Sequence, residues 1–169
     1  MTAVRPLPRV DATKPRGRAY RAYARLTATR PATWISRHVG WRLDPYLLRL
    51  TGGRVGFGLW LPTAVLETTG ARSGLSRRNA VIYFHDGDSV ILIASKAGAP
   101  EHPGWYHNAI ADHDVVFGGH PYAAHVVDDE AERARIWNLA DNVFPPFATY
   151  RLRADKVGRT IPILRLCPR

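Results

Sequence analysis

Lys96 ends the apolar run "SVILIAS" and stands before a Gly/Pro break, "AGAPEHPG", that hands over to Trp105 and Tyr106. A cation leaving a buried strand end either snorkels to water or binds an anion. The small residues Ala94, Ser95, Ala97 and Gly98 around it allow a flat ligand to approach the backbone, and the following aromatics supply a wall. A second candidate lies upstream. The turn "TTGARSGLSRRN" (68–79) gathers Arg72, Arg77 and Arg78 with Gly70, Ser73 and Gly74. Glycines let backbone N–H groups converge on an anion, and guanidinium forks match phosphate or carboxylate. The Gly-x4-Gly-Lys-Ser/Thr spacing of a P-loop is absent, and such a turn taken alone is more often only solvated. The two stretches become one anion site if their strands pair and bring Arg72, Arg77, Arg78 and Lys96 close.

Other chemistries find less support. His102 and His107 are five residues apart and do not share a helix face, while His85, His113, His120 and His125 are scattered over strands and turns. With no His-Glu-x-x-His and no carboxylate at ligand spacing, no metal site is expected. The Gly-x-Ser-x-Gly nucleophile elbow and the Gly-x-Gly-x-x-Gly dinucleotide fingerprint are both missing. Cys167 is the single cysteine, which excludes an internal disulfide and a thiolate cluster and fits a reducing compartment.

The elements that must position these residues read as one domain with an appendage. The chain has 169 residues and a net charge of +10. All of that excess sits in residues 1–54, where 12 Lys/Arg face only Asp11 and Asp44. Residues 1–17, with Pro6, Pro8, Pro15 and Gly17, read as a loose arm. An Ala/Arg-rich helix is predicted over 18–30, with Tyr20, Tyr23 and Leu26 as a narrow stripe. Two further short helices are expected, one with Trp34, His38 and Trp41 on a face, the other from Asp44-Pro45 to Gly52 or Gly53. Short cationic helices bearing aromatics are suited to a membrane interface, and equally to packing on a core with their arginines in water. The start lacks the apolar core of a secretory signal, and Val55–Leu66 is too short and too broken to span a bilayer. A cytoplasmic protein is expected, with a peripheral place on the inner face of the membrane as the extension of that view.

Beyond Gly58 the pattern turns strand-like: 63–70, 79–95, 114–128 and 159–166, with hairpin signals at Asp86-Gly87 and Gly118-Gly119. Helices are predicted over 103–111 and 128–144, the latter with Ile136, Leu139, Ala140 and Val143 as its apolar stripe. Six strands and isolated helices give an α+β class: a six-stranded antiparallel barrel or strongly curved sheet, with flanking helices and a basic helical N-terminal segment. The division falls between residues 43 and 44.

Three landmarks in order, "TTGxxSGxxR", "ASKxGAPxHPxWYHN" and the closing "RTIPI", resemble the deazaflavin-dependent nitroreductase family, over about residues 45–166. The resemblance implies a split β-barrel that uses coenzyme F-420. On this chain it assigns Arg72, Ser73, Gly74, Arg77 and Lys96 to the anionic tail of the cofactor, with Ala71 and Leu75 in the same turn. Ala94, Ser95, Ala97 and Gly98 would let the ring lie against backbone, supported by Trp105 and Tyr106. Ala71 replaces a residue that is often basic in the family, and Phe144 and Phe147 stand on the substrate side where some members carry tyrosine. Tyr150 and Ser95 are the implied proton donors or orienting hydroxyls. The implied reaction passes a hydride from reduced deazaflavin to a quinone, nitro compound or enone. The rival readings are a non-catalytic binder of deazaflavin, of FMN or of haem, and a cationic membrane-binding or nucleic-acid-binding module. The core has no basic excess, so nucleic acid is the weaker of the last two.

Overall fold

The computed structural model describes residues 7–27, 29 and 61–169. Both helices expected between 34 and 53, and the proposed boundary at 43/44, lie outside these residues. Six strands form a closed barrel: β1 (Thr63–Thr69), β2 (Ser76–Asp86), β3 (Ser89–Ile93), β4 (Asp114–Phe117), β5 (His120–Val126) and β6 (Ile163–Pro168). Their order around the barrel is β1-β2-β3-β6-β5-β4, with β4 returning to β1 and every pair antiparallel.

Alternation decides which faces point inward. Along β1, Ala64, Leu66 and Thr68 are buried while their neighbours are partly or fully exposed. In β3, Val90, Ile91, Leu92 and Ile93 are all buried, as expected of a strand covered on both faces. The barrel interior is filled by Leu66, Val90, Leu92, Phe117, Leu164 and Leu166, each at most 1% exposed.

Four described helices flank the barrel: α1 (Arg18–Thr27), α2 (Gly104–Ala111), α3 (Glu130–Val143) and α4 (Pro146–Asp155). The Asp129 side chain caps α3 by accepting from Glu132 N at 2.7 Å. Ile136, Ala140 and Val143 of its predicted stripe are fully buried, and Leu139 packs against the core. Arg165 on β6 bridges Asp86 (2.7 Å) and Glu132 (2.5 Å), and Arg135 adds two bonds to Asp86, tying α3 to the β2–β3 hairpin. Helix α4 has no counterpart in the sequence reading. Pro145-Pro146 looks like a stop, yet Pro146 falls in the first turn of the helix, where no N–H partner is needed.

The N-terminal stretch also departs from expectation. Residues 7–12 are not loose but laid along the barrel, with Val10 and Ala12 buried. Val10 N donates to His85 Nδ1 (3.1 Å), His85 N donates to Val10 O (2.9 Å), and the Tyr83 hydroxyl donates to Pro8 O (2.9 Å). Leu7 fills a slot at Gly118, where any Cβ would overlap it. The prolines that suggested disorder suit an extended strap, which needs few donors of its own.

Candidate active site

The β1–β2 turn builds an open cleft of about 520 Å³ against α2, lined by Gly70, Ala71, Arg72, Ser73, Arg77, Gly104, His107 and Asn108. The turn is tied within itself: Gly70 N donates to Leu75 O (2.8 Å), and Ser73 N and Gly74 N donate to Gly70 O (3.1 and 2.8 Å). Gly74 takes φ +65°, a left-handed value that suits glycine. Asn108 joins turn to helix. Its Oδ1 accepts from Ala71 N (3.0 Å), and its Nδ2 donates to the buried Thr68 hydroxyl (3.1 Å). Sequence reasoning passed over Asn108, although it sits in the quoted "WYHN"; only tertiary pairing of α2 with β1 gives it a role.

The arginines divide by strand alternation. Arg77 faces the cleft and reaches Ser73 Oγ (3.4 Å), whereas Arg78 turns to Glu67 (3.0 Å). Among the described residues neither Arg72 nor Arg77 makes an ion pair, and no carboxylate lines the cleft. Two exposed guanidinium groups with no ion pair among the described residues, beside turn amides and the first residue of a helix, match the chemistry of a phosphate or a carboxylate chain.

Lys96 is not among the lining residues of that cleft. Its ammonium pairs with Glu101 at 2.9 Å. Lys96–Gly98 form a single 3-10 turn after β3, left-handed at three residues in succession: φ +47° at Lys96, +55° at Ala97 and +76° at Gly98. For Lys96 and Ala97 this conformation costs about 1–2 kcal/mol each. Ala94 is buried and its N donates to Pro162 O (3.0 Å); Ser95 is half-buried. Arg159, the first residue of the "RTIPI" landmark and given no site role by the sequence reading, fastens the segment. It is 6% exposed and donates from Nη2 to Ala94 O (2.5 Å), from Nη1 to Ser95 O (3.0 Å) and Ala99 O (2.5 Å), and from Nε to His102 Nδ1 (2.9 Å). Burial lowers the pKa of Arg159 from its usual range, and burial followed by the charge of Arg159 lowers that of His102. His102 is therefore held neutral, with Nδ1 as acceptor.

The remaining candidates sit apart from the cleft lining. Trp105 and Tyr106 are half-buried on α2, the Tyr106 ring edge-on to His102 at 5.1 Å. Phe144, Phe147 and Tyr150 form an aromatic group where α3 meets α4, with centroids 5.1–6.3 Å apart, and all are at most 7% exposed. Leu75 is largely exposed and enters the site through its carbonyl. His102 and His107 do approach, at 5.8 Å between rings, because one precedes α2 and the other lies on it. Among the described residues no three His, Cys, Asp or Glu side chains come together as a metal site would require.

The closed six-stranded antiparallel barrel with flanking helices is a split-barrel frame. Its likeness to the solved structure of an F420-H2 dependent reductase, FDR-A, has a TM-score of 0.54 at 33% identity, over 62% of this chain and 93% of that one. A structure described as a domain-swapped dimer aligns at TM-score 0.56 and 28% identity, over 80% and 98% of the two chains. The family model described as F420H(2)-dependent quinone reductase matches residues 41–168, and the chain belongs to that family. The F420H(2)-dependent quinone reductase Rv1261c of Mycobacterium tuberculosis is 35% identical over 147 residues, 80% of this chain and 97% of the relative. The chain is thus a reductase dependent on reduced coenzyme F-420.

Proposed function

We propose that this enzyme reduces a quinone at the expense of reduced coenzyme F-420. The deazaflavin supplies the hydride; a proton from the protein or water completes the hydroquinone. The observation that carries the reading is the pair of unneutralised guanidinium groups in a cleft without acids, within a chain of this family. Arg72 and Arg77, with the backbone at Ser73 and Gly74, hold the phosphate and carboxylates of the tail. The turn Ser95–Gly98 presents backbone to the ring. Ser95 lies on that turn and is the nearer candidate to donate or orient a proton, with Tyr150 as the second, behind Phe144 and Phe147.

Titration with F-420 and separately with FMN, followed by tryptophan fluorescence, tests the cofactor. Saturable F-420 binding is expected, with no FMN binding at comparable concentration. Loss of deazaflavin absorbance on adding a soluble naphthoquinone then tests the acceptor, and nitroaromatics and enones assayed beside it define its breadth. A Tyr150→Phe enzyme with wild-type turnover would remove Tyr150 as a proton donor.

A membrane-facing role for the N-terminal segment is favoured by α1. Arg18, Arg21 and Arg25 recur at i, i+3 and i+7 and are exposed, while Ala24 is fully buried and the Tyr20 hydroxyl donates to Val143 O (2.7 Å). Its cationic face is thus turned from the core, as an anionic cytoplasmic leaflet requires. No helix among the described residues is long and apolar enough to cross a membrane. Salt-sensitive binding to vesicles containing anionic lipid, lost when all three arginines become glutamine, is the expected result. Equal binding by the triple variant would exclude this role.

A further inference from the structure

Three consecutive left-handed residues do not hold themselves. The turn's own bonds, Gly98 N to Ser95 O (2.9 Å) and Ala99 N to Lys96 O (3.0 Å), close it without choosing its hand for Lys96 and Ala97. Arg159 brackets the stretch from outside, with acceptors at Ala94 and Ser95 before it and Ala99 after it. Helix α4 closes the other side, where a Cβ on Gly98 would stand 2.6 Å from Tyr150 O and 2.7 Å from Arg153 Cβ. The guanidinium is buried against neutral carbonyls and one imidazole, and among the described residues it has no ion pair. A buried cation without a counter-ion is costly, and that cost is offset here by hydrogen bonds from most of its donors. Four of its five N–H groups are engaged, so Arg159 is spent on holding backbone rather than on moving protons.

We propose that Arg159 is a positioning residue for hydride transfer: it imposes the left-handed turn at Ser95–Gly98 and thereby sets the backbone surface on which the deazaflavin ring rests, with neutral His102 as its anchor. The inference rests on the reading of that turn as the seat of the ring. It places the effect of Arg159 on reaction geometry, since none of its hydrogen bonds among the described residues goes to a residue lining the tail cleft.

The test uses the full-length chain with Arg159→Lys and Arg159→Met. Amide hydrogen exchange without cofactor reads the hold on the turn; F-420 affinity and kcat with a soluble naphthoquinone read its consequence. Exchange at Gly98 and Ala99 is expected to quicken about tenfold or more in Arg159→Met, with Ile91 in β3 unchanged. A displaced ring should lower kcat by about 10- to 100-fold while F-420 affinity stays within about threefold. Ethylguanidinium added to Arg159→Ala should restore part of the lost kcat. Unchanged exchange, or a loss of activity that follows loss of affinity alone, would overturn the proposal. If Arg159→Met does not fold, Arg159→Lys keeps the charge without the fork and His102→Leu removes only the anchor; both should show weaker forms of the same pattern, and wild-type behaviour in both would overturn it. Failure of the wild type to bind F-420 would instead sink the assignment of the turn to the ring, while exchange still decides whether Arg159 holds it.

Discussion

The two turns proposed to hold the cofactor are built in opposite ways. The β1–β2 turn is closed by its own amides and glycines, is exposed to water, and leaves Arg72 and Arg77 without acidic partners among the described residues. The turn after β3 is partly buried, its cation already paired with Glu101, and its handedness is imposed by a residue 61–63 positions downstream of its members. The difference fits the role proposed for each. Attraction between a guanidinium and an anion falls slowly with distance and tolerates small displacements. Hydride transfer requires reacting atoms within about 3–3.5 Å, so the seat of the ring calls for a rigid tertiary hold.

That contrast can be broken experimentally, most severely at Gly98. Gly98→Ala places a methyl against Tyr150 O in a left-handed backbone and should destabilise the protein by about 2–4 kcal/mol, read as a lowered urea midpoint. The tail turn should respond in affinity instead. Arg72→Ala combined with Arg77→Ala should weaken F-420 binding by about 100-fold or more, with little change in the urea midpoint, since each charge-assisted contact contributes about 1.5–3 kcal/mol. A smaller effect on the same side is expected from Asn108→Ala, about tenfold in F-420 affinity, because it frees Ala71 N and Thr68. Lys96→Ala sharpens the comparison: with its ammonium on Glu101, affinity should change by no more than about threefold, and a fall as large as that of the arginines would return Lys96 to the tail.

The smallest effect belongs to the N-terminal strap. Burial, then the charge of Arg9, lowers the pKa of His85 below its usual 6.5, and its Nδ1 accepts from Val10 N. The unfolded chain therefore takes up the proton first as pH falls. Stability from this contact is complete above about pH 6.5 and declines as pH drops toward the folded-state value. Melting temperature should fall through that window in the wild type and fall less in His85→Gln.

The barrel was legible because its signals are local. Alternation in "TAVLETT", an unbroken apolar run in "SVILI" and the glycine turns at 87 and 118–119 each fix an element without reference to the rest. The β1–β2 turn was legible for the same reason, and Arg72, Ser73 and Arg77 line the cleft it builds. What escaped depends on distant partners. Nothing about "GRTIP" marks Arg159 as buried until Ala94, Ser95 and Ala99 are folded around it, and Asn108 looks like any exposed helix residue until it meets β1. Tandem arginines read as one patch were separated by the pleat of a strand, and Lys96 was diverted by an acid five residues on. Prolines misled twice, at the strap and at α4, because the same fixed φ serves an extended segment and a first helical turn.

The remote hold on the Ser95–Gly98 turn has a practical side for anyone wishing to move this segment into another barrel. The loop carries no instruction for its own shape. Grafted alone, "SKAGAP" should relax to right-handed or extended backbone and lose its register, however faithful the sequence. The transferable unit is discontinuous: the loop, the anchor at 102 and the arginine at 159, moved together.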